Sequence, residues 1–105
     1  MDLGWAAVGG QRPARVLDRY LDRVMGCHLK DYDPTVPLSA SAEAVPMPEL
    51  VQLKTPGAGA SDFADIVAVL DQGAIGNRFI EVDISAEPLE DARRGLSHLR
   101  ALSAA

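Results

Sequence analysis

His28-Leu29-Lys30-Asp31 is the stretch on which the reading of this 105-residue chain turns. The apolar run from Val24 to Leu29 leads into it and reads as a short buried strand. Strand alternation puts His28 and Lys30 on one face and Cys27 and Leu29 on the other. The same logic applies to Arg78 to Ile84, the clearest strand of the sequence: Glu81 and Asp83 share one face, Ile80 and Val82 the opposite one. Asp2 stands too near the terminus to show what preceded it. Each of these points is followed by a polar or Gly/Pro-containing segment and then by a helical pattern. Repeated strand–loop–helix order with polar residues at the strand ends predicts the rim of a parallel α/β barrel. Asp, His and Glu gathered at such a rim are a ligand set for a divalent metal.

Working outward, Met1 to Ala7 reads as the end of a strand running into a loop, broken by Gly9 and Gly10. Pro13 suits the first turn of a helix, and Val16, Leu17, Tyr20 and Leu21 recur at helical spacing up to about Arg23. Residues 33–60 are the least regular part. Pro34, Pro37, Pro46, Pro48 and Pro56 exclude a long helix there, although Leu50-Val51-Gln52-Leu53 has the composition of a short strand. A loop of that length in a compact domain usually has a functional reason, and after a barrel strand it would lie across the active-site mouth. Ser61 or Asp62 caps the next helix. There Phe63, Ile66, Val67 and Leu70 form one buried stripe, ended by Gly73 and Gly76. Pro88 opens a final helix whose apolar face is expected to run through Leu89, Ala92, Leu96, Leu99 and Leu102, with His98 on its surface.

Composition narrows the classes. Hydrophobic residues make up 48% of the chain, enough for a core rather than a disordered segment. The 15 acidic residues outnumber the 10 basic ones and leave a net charge of −5, which argues against a nucleic-acid-binding surface. No apolar run approaches the roughly 20 residues of a membrane helix. No signal peptide is visible, and the single cysteine, Cys27, fits a reducing compartment. The expectation is a cytoplasmic protein with no nucleic-acid or membrane partner.

The segment Met1-Asp2-Leu3-Gly4-Trp5-Ala6-Ala7 through Tyr20, followed by His28-Leu29-Lys30-Asp31, resembles the sugar phosphate isomerase/epimerase family, with its xylose-isomerase-like barrel. Gly57, Gly59, Asp62 and Phe63 match that family's Gly-x-Gly-x-x-Asp-(Phe/Trp). Glu81 and Asp83 match its Glu-x-Asp, and Pro88 to Arg100 its Pro-Leu-Glu-x-Ala-Arg-Arg-x-Leu-x-x-Leu-Arg. The likeness runs through nearly the whole chain in the right order. It implies that residues 1–105 are the C-terminal part of a TIM (β/α)8 barrel, about strands 6–8 with their helices, and that Met1 is an internal position. It implies Asp2, His28 and Glu81 as ligands of Mn²⁺, Mg²⁺, Co²⁺ or Zn²⁺. Glu81 would also be a catalytic acid/base, and Trp5 and Lys30 would contact a sugar or polyol substrate. Three departures stand out. Trp5 is near a position where many members carry histidine, Ala58 where an acidic residue is common, and the family's first glutamate ligand lies outside this chain.

Each of these residues also has a plainer reading. His28 would be a structural strand-end histidine, Glu81 a solvated or ion-paired carboxylate, Asp2 a capping residue. Trp5 would be a packing residue, and Lys30 a partner of Asp31 or Asp83. The parent activity implied by the resemblance is metal-dependent isomerisation or epimerisation through proton transfer next to a carbonyl. A complete barrel of this kind takes eight strands and about 250 residues, so the chain is expected to have open sheet edges, to self-associate and to be inactive alone. The alternatives are a non-catalytic fragment or pseudoenzyme, a related dehydratase of ketoinositol-type substrates, and, disfavoured by charge, an endonuclease acting at abasic sites.

Overall fold

The computed structural model describes residues 1–38 and 47–104, so Pro46 lies outside the described residues. It is a mixed α/β structure around a short parallel sheet. In chain order the elements are α1 (Leu3–Val8), α2 (Pro13–Arg19), a 3₁₀ turn (Leu21–Arg23), β1 (Gly26–Leu29), β2 (Asp31–Tyr32), a second 3₁₀ turn (Pro48–Gln52), β3 (Leu53–Lys54), α3 (Phe63–Gln72), β4 (Asn77–Ile80) and α4 (Pro88–Ala104).

β1 and β4 pair in parallel, with His28 opposite Phe79 and Leu29 opposite Ile80. Glu81 N–H extends the ladder by donating to Leu29 O. On the other side of β1, Asp2 forms a single parallel bridge to His28, with His28 N–H donating to Met1 O at 2.9 Å. Three successive chain segments thus lie side by side in parallel, each joined to the next through helix-containing connections, as parallel strands require. Of the strand end and loop expected over Met1 to Ala7, the strand end is this one bridge. Leu3 to Val8 form a helix instead, because the Asp2 side chain accepts the Trp5 N–H at 3.0 Å and caps it. β4 also ends sooner than the expected Arg78–Ile84 strand.

The outer face of the sheet carries the core. Leu3, Leu17, Cys27, Leu29, Phe63, Ile66, Leu70 and Ile75 are buried together, with Leu99 and Leu102 of α4 packed against them. The α3 stripe expected from the sequence is buried in full, and Asp62 caps the helix by accepting from Ala64 and Asp65 N–H. Burial pushes the Cys27 thiol pKa up, with the N-terminal ammonium and Arg78 pulling the other way. α4 packs on a face turned from the expected one, which keeps Leu99 and Leu102 but not its first half. Leu89 and Leu96 are exposed, while Gly95 is buried and His98 lies edge-on against Phe63. Gly95 is the reason. A Cβ there would stand 2.4 Å from Thr55 Oγ1, and Thr55 donates to Asp91 O at 2.6 Å, so the helix is drawn in along its smallest residue.

The irregular segment is clasped at its base. β2 and β3 pair antiparallel, Asp31 opposite Lys54 and Tyr32 opposite Leu53. Of the stretch read as a short strand, Leu50 to Gln52 belong to the 3₁₀ turn and Leu53 alone to β3. No helix among the described residues is long and apolar enough to cross a membrane.

Candidate metal and proton-transfer site

His28 is the first residue of the inner face to carry chemistry. Its neighbours Cys27 and Leu29 are locked into the core, so alternation turns the imidazole to the open side, where half of it is exposed and the Phe79 ring stands edge-on to it. The bridge through His28 N–H holds Asp2 beside it, and the Glu81 N–H bond to Leu29 O brings Glu81 up from the end of β4. The outcome is a compact group. His28 Nδ1 is 2.6 Å from Glu81 Oε2 and 3.5 Å from Asp2 Oδ2. One donor atom from each of Asp2, His28 and Glu81 can be chosen so that all lie within 4.8 Å of one another. The three residues singled out from the sequence therefore do converge.

Beneath them lies Lys30, whose side chain is 1% exposed. Its Nζ is 2.8 Å from Asp83 Oδ2, 3.1 Å from Asp2 Oδ2 and 3.2 Å from Glu81 Oε1. An ammonium has three donors, so this arrangement can saturate it. Burial alone would lower the Lys30 pKa; the bonds to Asp83, Asp2 and Glu81 outweigh burial and raise it above the usual lysine value. Of the two partners considered for Lys30, the structure selects Asp83. Asp31 is the next residue along the strand, and so points the other way.

Asp31 has a role the sequence reading did not find. Its buried carboxylate accepts four backbone N–H groups: Tyr32 at 2.8 Å and Ser61 at 2.9 Å on Oδ1, Gly57 and Gly59 at 3.0 Å on Oδ2. It ties the returning end of the irregular loop to the end of β1. The signal was present in the spacing of Gly57 and Gly59. A Cβ on Gly59 would lie 2.6 Å from Asp31 Oδ1, and Gly57, at φ +93°, faces the His98 ring. His98 is accordingly a partly buried residue of this clasp, not a free surface one. Among the described residues no buried side-chain polar atom lacks a hydrogen-bond partner. Trp5 sits half-buried in the first turn of α1, and its backbone N–H anchors Asp2 Oδ1.

No protein-family model and no curated protein matches the chain. Among solved structures, a sugar phosphate isomerase/epimerase from Parabacteroides distasonis ATCC 8503 is similar, with a TM-score of 0.58 at 17% identity. The likeness covers 96% of this chain and 28% of that one. At this identity it is a likeness of fold, and the chain spans little more than a quarter of the neighbour's length.

Proposed function

We propose that this chain forms the C-terminal strands 6–8 and helices of a TIM barrel, and that it carries part of the centre of a divalent-metal-dependent sugar or sugar-phosphate isomerase or epimerase. The observation that carries the reading is the convergence of Asp2, His28 and Glu81 at the ends of three adjacent parallel segments, inside a fold shared with a sugar phosphate isomerase/epimerase.

The donor set suits Mn²⁺, Mg²⁺, Co²⁺ or Zn²⁺. Ligands about 2.0–2.2 Å from such an ion stand roughly 3 Å or a little more from one another. The Asp2–His28 separation of 3.5 Å is near that spacing, and the 2.6 Å His28–Glu81 contact is a hydrogen bond that must open slightly as its proton leaves. Three carboxylates around one ammonium also leave the cluster net negative, which favours a dication. The bound ion would supply Lewis-acid stabilisation of charge developing on a substrate carbonyl oxygen.

Within that reading, the residues of this chain divide the work. Glu81 stands partly exposed at the mouth and takes or returns the proton next to the carbonyl. His28 and Asp2 hold their donor atoms toward the same opening. Trp5 and Lys30 are the proposed substrate neighbours, Trp5 by its half-buried ring and Lys30 by the charge it places beneath the site. Two-base epimerisation needs a second group on the opposite face of the substrate, so the 105-residue chain is proposed to bind metal without turning substrate over.

Titration calorimetry with Mn²⁺ tests the reading. The wild-type chain should bind one equivalent, and His28→Ala should weaken it on the order of a hundredfold. Equal affinity in the two proteins removes His28 from the ligand set. Metal-dependent exchange of a sugar's α-proton with deuterated solvent by this chain alone would overturn the claim that it is an incomplete catalyst.

A further inference from the structure

We infer that Lys30 sets the cation preference of the rim cluster, by confining Glu81 to one free oxygen. The inference rests on the metal reading above and deepens it.

The division of the carboxylate oxygens carries the argument. Glu81 gives Oε1 to the Lys30 ammonium at 3.2 Å and turns Oε2 to His28 Nδ1 at 2.6 Å. Asp2 gives Oδ1 to the Trp5 N–H at 3.0 Å and leaves Oδ2 between Lys30 and His28. Neither carboxylate can offer both oxygens to an ion beside His28 without breaking a bond to the protein. For Glu81 that bond is to an ammonium 1% exposed to solvent, which would be left a partner short in a place water hardly reaches.

Lys30 itself has little freedom to follow. A Cβ on Gly4 would fall 2.0 Å from its Cγ and 2.6 Å from its Cδ, and 3.0 Å from Leu53 Cδ2, so the stem runs through a slot lined by the glycine of α1 and the leucine of β3. Asp83 Oδ2, its shortest contact at 2.8 Å, belongs to none of the three groups gathered at His28 and holds the ammonium in place.

Ca²⁺ takes six to eight oxygens and commonly draws both from a carboxylate, whereas Mg²⁺-sized ions and Zn²⁺ are content with one from each ligand and fill the remainder with water. A site with its carboxylates pinned to single oxygens therefore discriminates against Ca²⁺. Lys30 acts here as a positioning residue, through Glu81, while the Trp5 N–H holds Asp2 to a single free oxygen.

The test is the ratio of Mn²⁺ to Ca²⁺ affinity of the full 105-residue chain, measured by calorimetry and, for Mn²⁺, by its paramagnetic resonance signal. Lys30→Met keeps the stem and removes the charge. It should raise affinity for both ions, because a positive charge leaves the site, and should lower the Mn²⁺:Ca²⁺ ratio by about tenfold, because Glu81 is freed to bind through both oxygens. Asp83→Asn should lower the ratio in the same direction by less. A purely electrostatic Lys30 shifts both affinities together, and an unchanged ratio in Lys30→Met overturns the inference. Should Lys30→Met fail to fold, an unchanged ratio in Asp83→Asn overturns it. Mn²⁺ binding with an unchanged ratio leaves the metal reading standing, while no Mn²⁺ binding by the wild type removes both.

Discussion

Lys30 and Asp31 are adjacent, oppositely charged and both buried, yet they are satisfied in opposite ways. Lys30 is met by three carboxylates: Asp2 just before α1, Glu81 just beyond β4, and Asp83 in the loop that follows. Asp31 is met by the main chain alone, through N–H groups of its neighbour Tyr32 and of Gly57, Gly59 and Ser61. Strand alternation separates them: one faces the open inner side of the sheet and the other the base of the loop. Carboxylate partners that are partly exposed can turn toward water. Backbone partners cannot do so without unfolding the loop. Losing one partner is therefore met on the Lys30 side by hydration of partly exposed carboxylates, and on the Asp31 side only by opening the loop.

The largest effect should come from attacking the fixed side. Asp31→Ala leaves N–H groups at residues 32, 57, 59 and 61 without their acceptor and removes a charge-assisted network. Each buried group orphaned in this way costs about 1–3 kcal/mol, with solvent able to recover part of it at the exposed glycines. A loss of about 3 kcal/mol in urea unfolding is expected, together with loss of exchange protection at the Gly57, Gly59 and Ser61 amides. If those amides stay protected, the clasp does not depend on the carboxylate, and the contrast with Lys30 fails.

A somewhat smaller effect should come from Gly59→Ala. The new Cβ would sit 2.6 Å from both Asp31 Oδ1 and Tyr32 O, and Asp31, held by four N–H groups, has no room to retreat. Overpacking of this sort costs about 1–3 kcal/mol. Gly76→Ala is the control, since a Cβ there meets nothing within 4 Å. Comparable destabilisation by the two substitutions would mean that backbone flexibility, not the closeness of Asp31, sets the cost.

Periodicity and alternation made part of this legible. The α3 stripe and the inward turn of His28, Lys30, Glu81 and Asp83 follow from residues of one segment repeating at a known period, whereas the gathering of Asp2 with His28 and Glu81 is implied by the family resemblance. What escaped the reading depends on partners brought in from elsewhere. α1 is six residues long, too short to show a stripe, and exists because one side chain caps it. The packed face of α4 was set by a glycine, whose absent side chain carries no hydrophobic signal but admits Thr55. The acceptor role of Asp31 lies in backbone groups 26 to 30 residues away, and the Gly57 and Gly59 spacing that marks them does not name the partner.

The smallest effect should come from the Lys30 side, and pH gives it a sign. Removing Lys30 deletes a charge whose desolvation already offsets much of its attraction to Asp2, Glu81 and Asp83. The carboxylates left behind are a quarter to two-fifths exposed and can hydrate. Lys30→Met should therefore cost only about 1 kcal/mol at neutral pH, well below Asp31→Ala. The carboxylates hold the Lys30 pKa above its unfolded value despite burial. Below the unfolded pKa both states keep the proton and the contribution is present in full. As pH climbs past about 10 the unfolded chain gives up that proton first, and the contribution is lost as the folded pKa is passed. Cys27, whose thiol is also raised by burial, adds a loss of the same sign, so the quantity to measure is the difference in unfolding free energy between wild type and Lys30→Met from pH 7 to 11. That difference should shrink above about pH 10. If it stays constant, the Lys30 ammonium contributes nothing in the folded state, and the two buried charges do not differ in the way the comparison requires.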